Sequence, residues 1–323
     1  GLRLDAVHQI SGPGADDFMT EFARRIRAVD PSRPIHLIVE DERNERFLRE
    51  NGYDASWNDD FHHAVHCALT GESDSYYASF SHDPMGDLCL ALQRGHIEEG
   101  QPRPGRDEPR GEPCGHLPPT AFVNSTQTHD QVGNRALGER LLSLADPQGV
   151  QTAFALLLVA PYIPMIFMGE ERGATTPFLF FADFTGDLAR AVREGRAAEF
   201  AGIASLGSKV PDPLDPQTFA WSKLDWNDNA AARDWLDMTT RALAFRRDHV
   251  VPLLKSGRSQ PAQVTRHGAA SLAATWHFHA GVLDLRLSLG QPQPDLQPLD
   301  DAAFSLSRIG TDPFALSVST RFT

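Results

Sequence analysis

Five short apolar runs, each leading into one or two acidic residues and parted from the next by a helix-length stretch, leave this chain very few folds. The first, Leu2 to Val7, alternates apolar and polar residues, reads as a strand, and carries Arg3 and Asp5. Ile35 to Val39 is closed by Glu40 and Asp41, and a third run ends near Trp57, just before Asp59 and Asp60. Ala121 to Val123 begins a strand running towards His129 and Asp130, and Ile163 to Phe167 leads to Glu170 and Glu171. Helical faces lie between them: Phe18, Met19, Phe22, Ile26 and Val29 behind Asp16 and Asp17, then Glu45 to Asn51, Leu88 to Leu92, and Val150 to Val159. Strands alternating with helices imply a parallel sheet covered by helices. In a (β/α)8 barrel the C-terminal strand ends build one pocket, so acids recurring there converge. A single such acid is most simply a helix cap, whereas five together point to a carboxylate-lined site. That site suits metal binding or glycoside hydrolysis, and spacing alone does not choose between them.

Composition narrows the partners. In 323 residues there are 43 acidic against 30 basic side chains, a formal charge of −13, which opposes nucleic acid and anionic membrane but is indifferent to a neutral sugar. Cys67, Cys89 and Cys114 are odd in number and lack CxxC spacing, which supports neither a disulfide framework nor a zinc site. The longest apolar stretch, Thr152 to Met168, is broken by Pro161 and Pro164 and reads as a helix followed by a strand. With no signal peptide in view, the expected compartment is the cytoplasm.

Gln101 to Pro119, "QPRPGRDEPRGEPCGHLPP", reads as a mobile loop. Ala230 to Arg247 is helical, and from Val264 the pattern turns to alternating strands, among them Ala273 to His279 and Val282 to Leu287. The expected organisation is a catalytic part over 1–255 and a small antiparallel β domain over 256–323.

The wording of the segments goes further than their spacing. "GLRLDAV", "LIVED" and "THDQVGNR" resemble, in order, three signature regions of the α-amylase superfamily. "HLIVEDERNE", "WNDDFHHAVHCALTGE", "THDQVGNRALGERL", "FMGEE" with "TPFLFFADF", and "PDPLDPQTFAWSKLDW" resemble its maltooligosyltrehalose trehalohydrolase family, over most of Gly1 to about Trp226. The resemblance implies strands four to eight of a (β/α)8 barrel followed by the β domain, with no cofactor and no metal. It also implies a retaining hydrolase acting on the α-1,4 bond beside the trehalose end of maltooligosyltrehalose, the alternatives being another glucan hydrolase or branching transferase of the superfamily and an inactive glucan-binding fragment.

By the same resemblance Asp5 is the nucleophile, Arg3 the arginine that orients it and keeps it ionised, and Glu40 the general acid/base. Asp130 is the third carboxylate, favouring the distorted oxocarbenium-like ring, with His129 its hydroxyl-binding neighbour. His8 falls where the superfamily touches the leaving-group sugar. Trp57, Asp59 and Asp60 belong to a segment that suits stacking on, and hydrogen bonding to, a trehalose end. The nearby Phe61, His62 and His63 extend that segment, and its histidines read less readily as metal ligands.

Three residues depart from the pattern: Thr128 stands where Asn commonly precedes His-Asp, Met168 where Gln is frequent, and Arg172 where Trp commonly follows Gly-Glu-Glu. None removes a catalytic group. Because a closed barrel needs eight strands and only five are found, the sequence leads us to expect an N-terminally truncated chain that hydrolyses no faster than background.

Overall fold

The computed structural model describes residues 1–201 and 210–323. Its first sheet is made of very short strands: β1 (Leu2–Leu4), β2 (Leu37–Val39), β3 (Ala55–Trp57), β4 (Phe122–Asn124) and β5 (Ile163–Pro164). They pair in sequential order, each parallel to the next, with Leu4 opposite Val39, Ile38 opposite Ala55, Trp57 opposite Val123 and Asn124 opposite Pro164. Sequential parallel order with a helical crossover at each step is the winding of a β/α barrel.

The crossovers follow the sequence signals. Helix α1 (Ala15–Ala28) opens on Asp16 and Asp17 and closes on Arg25 and Arg27, charges that suit the helix dipole. Its apolar face, with Met19 and Ala23 buried, packs with Val7, Leu37, Val39, Leu48 and Tyr53 into one cluster. After α2 (Phe47–Glu50) and β3 comes α3 (Asp59–Thr70), which is buried along most of its length. Helix α4 (Pro84–Arg94) is capped by the Asp83 carboxylate, which accepts from Gly86 N–H. Further on lie α5 (His129–Gly133), α6 (Pro147–Val159), α7 (Gly186–Glu199), α8 (Pro216–Trp221) and α9 (Ala230–Phe245). A π-helical turn over Arg246–Val250 then leads into α10 (Val251–Ser256).

The first strand is shorter than the alternation predicts. It stops at Leu4, and Ala6 takes a left-handed conformation (φ 44°) before a 3-10 turn over Val7–Gln9. The cause is tertiary: the Ala6 N–H donates to the Glu40 carboxylate (2.9 Å) and the Val7 N–H to the Glu40 carbonyl (3.1 Å), which turns the chain out of the sheet.

The segment predicted to be mobile is instead tied down. Arg103 donates twice to Asp87 (2.6 Å), while Arg106 and Arg110 both reach the fully buried Glu98 (2.5 Å each). Arg110 also reaches Asp60 (3.1 Å).

The C-terminal sheet is antiparallel, in the order β6 (Gln263–His267), β7 (Ser271–Phe278), β8 (Gly281–Leu289), β10 (Phe314–Phe322) and β9 (Phe304–Leu306). It packs on α4. The fully buried Trp276 indole donates to the Leu92 carbonyl (3.1 Å), which also accepts from the Tyr162 hydroxyl (2.9 Å), and Arg266 pairs with Asp83 (2.7 Å).

By packing, the chain forms two compact units: residues 1–126, 152–165 and 241–323 make up one, and residues 127–151 and 166–240 the other. None of the described helices is long and apolar enough to cross a membrane.

Candidate active site

In the first unit, the ends of β1 and β2 bring three charged groups together. Arg3 and Leu4 lie in register with Ile38 and Val39, so Asp5 and Glu40 leave adjacent strands at the same level. The Arg3 guanidinium bridges them, donating to Asp5 through one terminal nitrogen and to Glu40 Oε2 (2.9 Å) through the other. It is held flat by Trp57 at the end of β3, with Cζ 3.9 Å from the ring centroid. Such stacking suits the planar, delocalised guanidinium and fixes its fork towards the two carboxylates.

The two acids are in different surroundings. The Asp5 side chain is 77% exposed, whereas that of Glu40 is 21% exposed. Burial, reinforced by a hydrogen bond to Asp5 and by its charge, pushes the Glu40 carboxyl above its ordinary value, against the opposing pull of the Ala6 N–H and Arg3. Two carboxyl groups whose environments differ in this way can divide the roles of nucleophile and proton donor.

His8 sits on the 3-10 turn with Nε2 3.4 Å from Glu42, and its buried Nδ1 has no hydrogen-bond partner among the described residues. Asp59 is half-buried at the start of α3. Asp60 points the other way and is fully buried, accepting from the N–H groups of Ile97 (2.8 Å) and Glu98 (2.9 Å), from Asn44 (2.9 Å) and from Arg110. These protein donors occupy the carboxylate, so Asp60 fixes the loop after α4.

His62, His63 and His66 are buried among Tyr76, Tyr77 and Phe80. His62 bonds the Thr126 carbonyl (2.7 Å) and the Tyr77 hydroxyl (3.0 Å), and burial pulls its pKa down to about 3. Among the described residues no group of His, Cys, Asp or Glu is arranged to hold a metal ion.

In the second unit, His129 and Asp130 open α5, five residues beyond the last residue of β4, with His129 Nε2 3.3 Å from Asp130. Thr128 accepts from the Asp130 N–H (3.2 Å) as the helix cap and hydrogen-bonds to Gln131. Glu170 is buried and accepts from Gln127 (3.0 Å) and the Phe167 N–H (2.7 Å), while Glu171 accepts from the Gly169 N–H (2.9 Å). These two acids therefore brace their own loop.

Two participants are not evident from the sequence. The Ala6 main-chain N–H is one, since nothing in "LDAV" signals a left-handed alanine. Glu98 is the other. Its sequence neighbour Glu99 looks equivalent, yet only Glu98 gathers Arg106 and Arg110.

No model of a known protein family matches the chain. It is 42% identical over 238 residues to the malto-oligosyltrehalose trehalohydrolase of Arthrobacter ramosus, covering 71% of this chain and 41% of that protein. To the malto-oligosyltrehalose trehalohydrolase of Mycobacterium tuberculosis it is 36% identical over 290 residues, 86% of this chain and 47% of that protein. By sequence the chain is thus similar, over most of its own length, to malto-oligosyltrehalose trehalohydrolases. It spans under half the length of these two relatives. A solved structure described as a putative alpha amylase from Salmonella typhimurium superposes with a TM-score of 0.91 at 43% identity, over 99% of this chain and 57% of that one. The parallel sheet and its crossovers thus correspond to strands four to eight of an α-amylase (β/α)8 barrel, followed by a small antiparallel β domain.

Proposed function

We propose that these residues serve a retaining glycoside hydrolase that cleaves the α-1,4 bond next to the trehalose unit of maltooligosyltrehalose. The observation that carries the reading is the single guanidinium shared by an exposed Asp5 and a half-buried Glu40 whose pKa is raised. In the first step the Asp5 carboxylate attacks the anomeric carbon of the maltooligosyl residue, and the neutral Glu40 gives its proton to O4 of the departing trehalose. In the second, water attacks the glycosyl ester, Glu40 takes its proton, and the maltooligosaccharide leaves with Asp5 restored. Arg3 counters the charge on Asp5 when no sugar is present and remains as its partner when the ester breaks.

The resemblance gives Asp130 and His129 the task of holding sugar hydroxyls of the distorted ring. The same resemblance gives His8 the leaving-group sugar, and Trp57 with Asp59 suits the trehalose end. Asp60, bound by donors of the protein itself, supports that segment. The proposed domain limits remain 1–255 and 256–323, and the proposed setting is cytoplasmic.

The test is product analysis with maltooligosyltrehalose and plain maltooligosaccharide, in the enzyme that carries these residues. Trehalose is expected from the first, and Glu40→Gln and Asp5→Asn are each expected to lower turnover by several powers of ten. Branched or transglycosylated products without free trehalose would favour a branching transferase. Most of the activity surviving in Glu40→Gln would overturn the assignment of the acid.

A further inference from the structure

Two segments singled out in the sequence, the Gly-Glu-Glu run with its unusual Arg172 and the "SKLDW" stretch, take no part in the chemistry above. In the second unit both line a cavity of about 440 Å³, a size that suits a small ligand. One part of the lining is a 3-10 turn over Glu170–Arg172, held between Gly169 (φ 89°) and Gly173 (φ 64°). Both glycines are needed in two respects. Each lies in the left-handed region, and a Cβ on Gly173 would come within 2.8 Å of the Trp235 ring, one on Gly169 within 2.8 Å of Ala174 and Leu224. This part is therefore fixed by close packing.

Another part is Leu224 to Asn229. Arg172 reaches across and donates to the carbonyls of Asn227 (3.1 Å) and Trp226 (3.4 Å), its Cζ 5.6 Å from the Trp226 ring centroid. Asp225 accepts from both the main-chain N–H (2.9 Å) and the side-chain amide (2.8 Å) of Asn227. The one cation and the one anion of the lining are thus each engaged by neighbouring chain, and the cavity is neutral as a whole. Trp226 nevertheless keeps 62% of its surface exposed to solvent, and Thr175 and Thr176 line the same cavity.

A large exposed indole among hydroxyl, amide and fixed charged groups, with no net charge to draw an ion, matches one ligand chemistry well. A pyranose offers a C–H face to the indole and equatorial hydroxyls to the polar groups around it. We propose that this cavity is a binding site for a neutral pyranose of an oligosaccharide chain, with Trp226 as its platform and Arg172 as the residue that sets the platform. The proposal rests on the cavity alone and does not depend on the hydrolytic reading.

The test follows the Trp226 indole N–H by NMR in chain labelled at its five tryptophans, assigned with Trp226→Phe, while maltotriose is added to a Glu40→Gln background that prevents turnover. Sodium sulfate serves as the anion control. Saturable movement of the Trp226 signal by maltotriose and not by sulfate is expected. Ala231→Trp, which adds bulk at an exposed lining position, is expected to weaken that response about tenfold while leaving the fold intact. Arg172→Gln is expected to shift the unliganded Trp226 signal and weaken binding as well. A Trp226 signal that does not move, moves equally with sulfate, or responds unchanged in Ala231→Trp would overturn the proposal, whatever the activity of the wild-type enzyme.

Discussion

Arg3 shows how much can depend on one side chain. Its guanidinium joins Asp5, Glu40 and Trp57, so changes at any of the four are expected to be non-additive. Because Asp5 raises the Glu40 pKa through a hydrogen bond and through its charge, Asp5→Asn is expected to lower it. The unlinking also frees Arg3 to favour the Glu40 carboxylate. Carbon-13 titration of the Glu40 carboxyl checks this directly, and an unchanged or raised value in the variant would contradict it. Trp57→Ala combined with Asp59→Asn is expected to reduce kcat/KM for maltooligosyltrehalose more than for plain maltooligosaccharide, since buried groups that bond a substrate discriminate against analogues lacking the partner group. Equal losses would contradict a role for the two side chains in telling the substrates apart.

At the scale of elements, the loop over residues 101–119 departs most from its composition. Proline, glycine and charge describe a mobile segment, and taken alone the segment has nothing to bury. Three of its arginines instead meet Glu98, Asp87 and Asp60, carboxylates carried by other elements and largely removed from water. A buried carboxylate stripped of its partner costs about 3–5 kcal/mol. Arg110→Met is therefore expected to destabilise the chain by about 3 kcal/mol, less if Arg106 retains Glu98, and to open the loop to protease. Urea unfolding with limited proteolysis measures both. Wild-type stability with an uncut loop in this variant would mean that Arg106 and Arg103 suffice.

On the scale of the whole molecule, acid sensitivity follows from buried imidazoles. Burial lowers the pKa of His62, His63 and His96, that of His62 to about 3, while an unfolded chain protonates histidine near 6.5. Below about 6.5 the unfolded state takes up protons that the folded state refuses, so stability falls as pH drops from there towards 3. Each histidine contributes a slope of about 1.4 kcal/mol per pH unit in that window. Urea midpoints at pH 7.5, 6.5 and 5.5 are expected to decline over the lower interval, and His62→Gln to flatten the decline. A level profile would contradict the linkage. The sequence by itself determined the alternation of strand and helix, the carboxylates that close β1 and β2, and the antiparallel pattern after Val264, because periodicity and local charge are properties of neighbouring residues. It did not determine where β1 stops, that Asp60 turns inward while Asp59 does not, that Glu98 anchors a loop, or that Trp276 seals the C-terminal sheet onto α4. Those outcomes rest on hydrogen bonds between groups 8 to 184 residues apart in the chain, and only the packed structure supplies the partner.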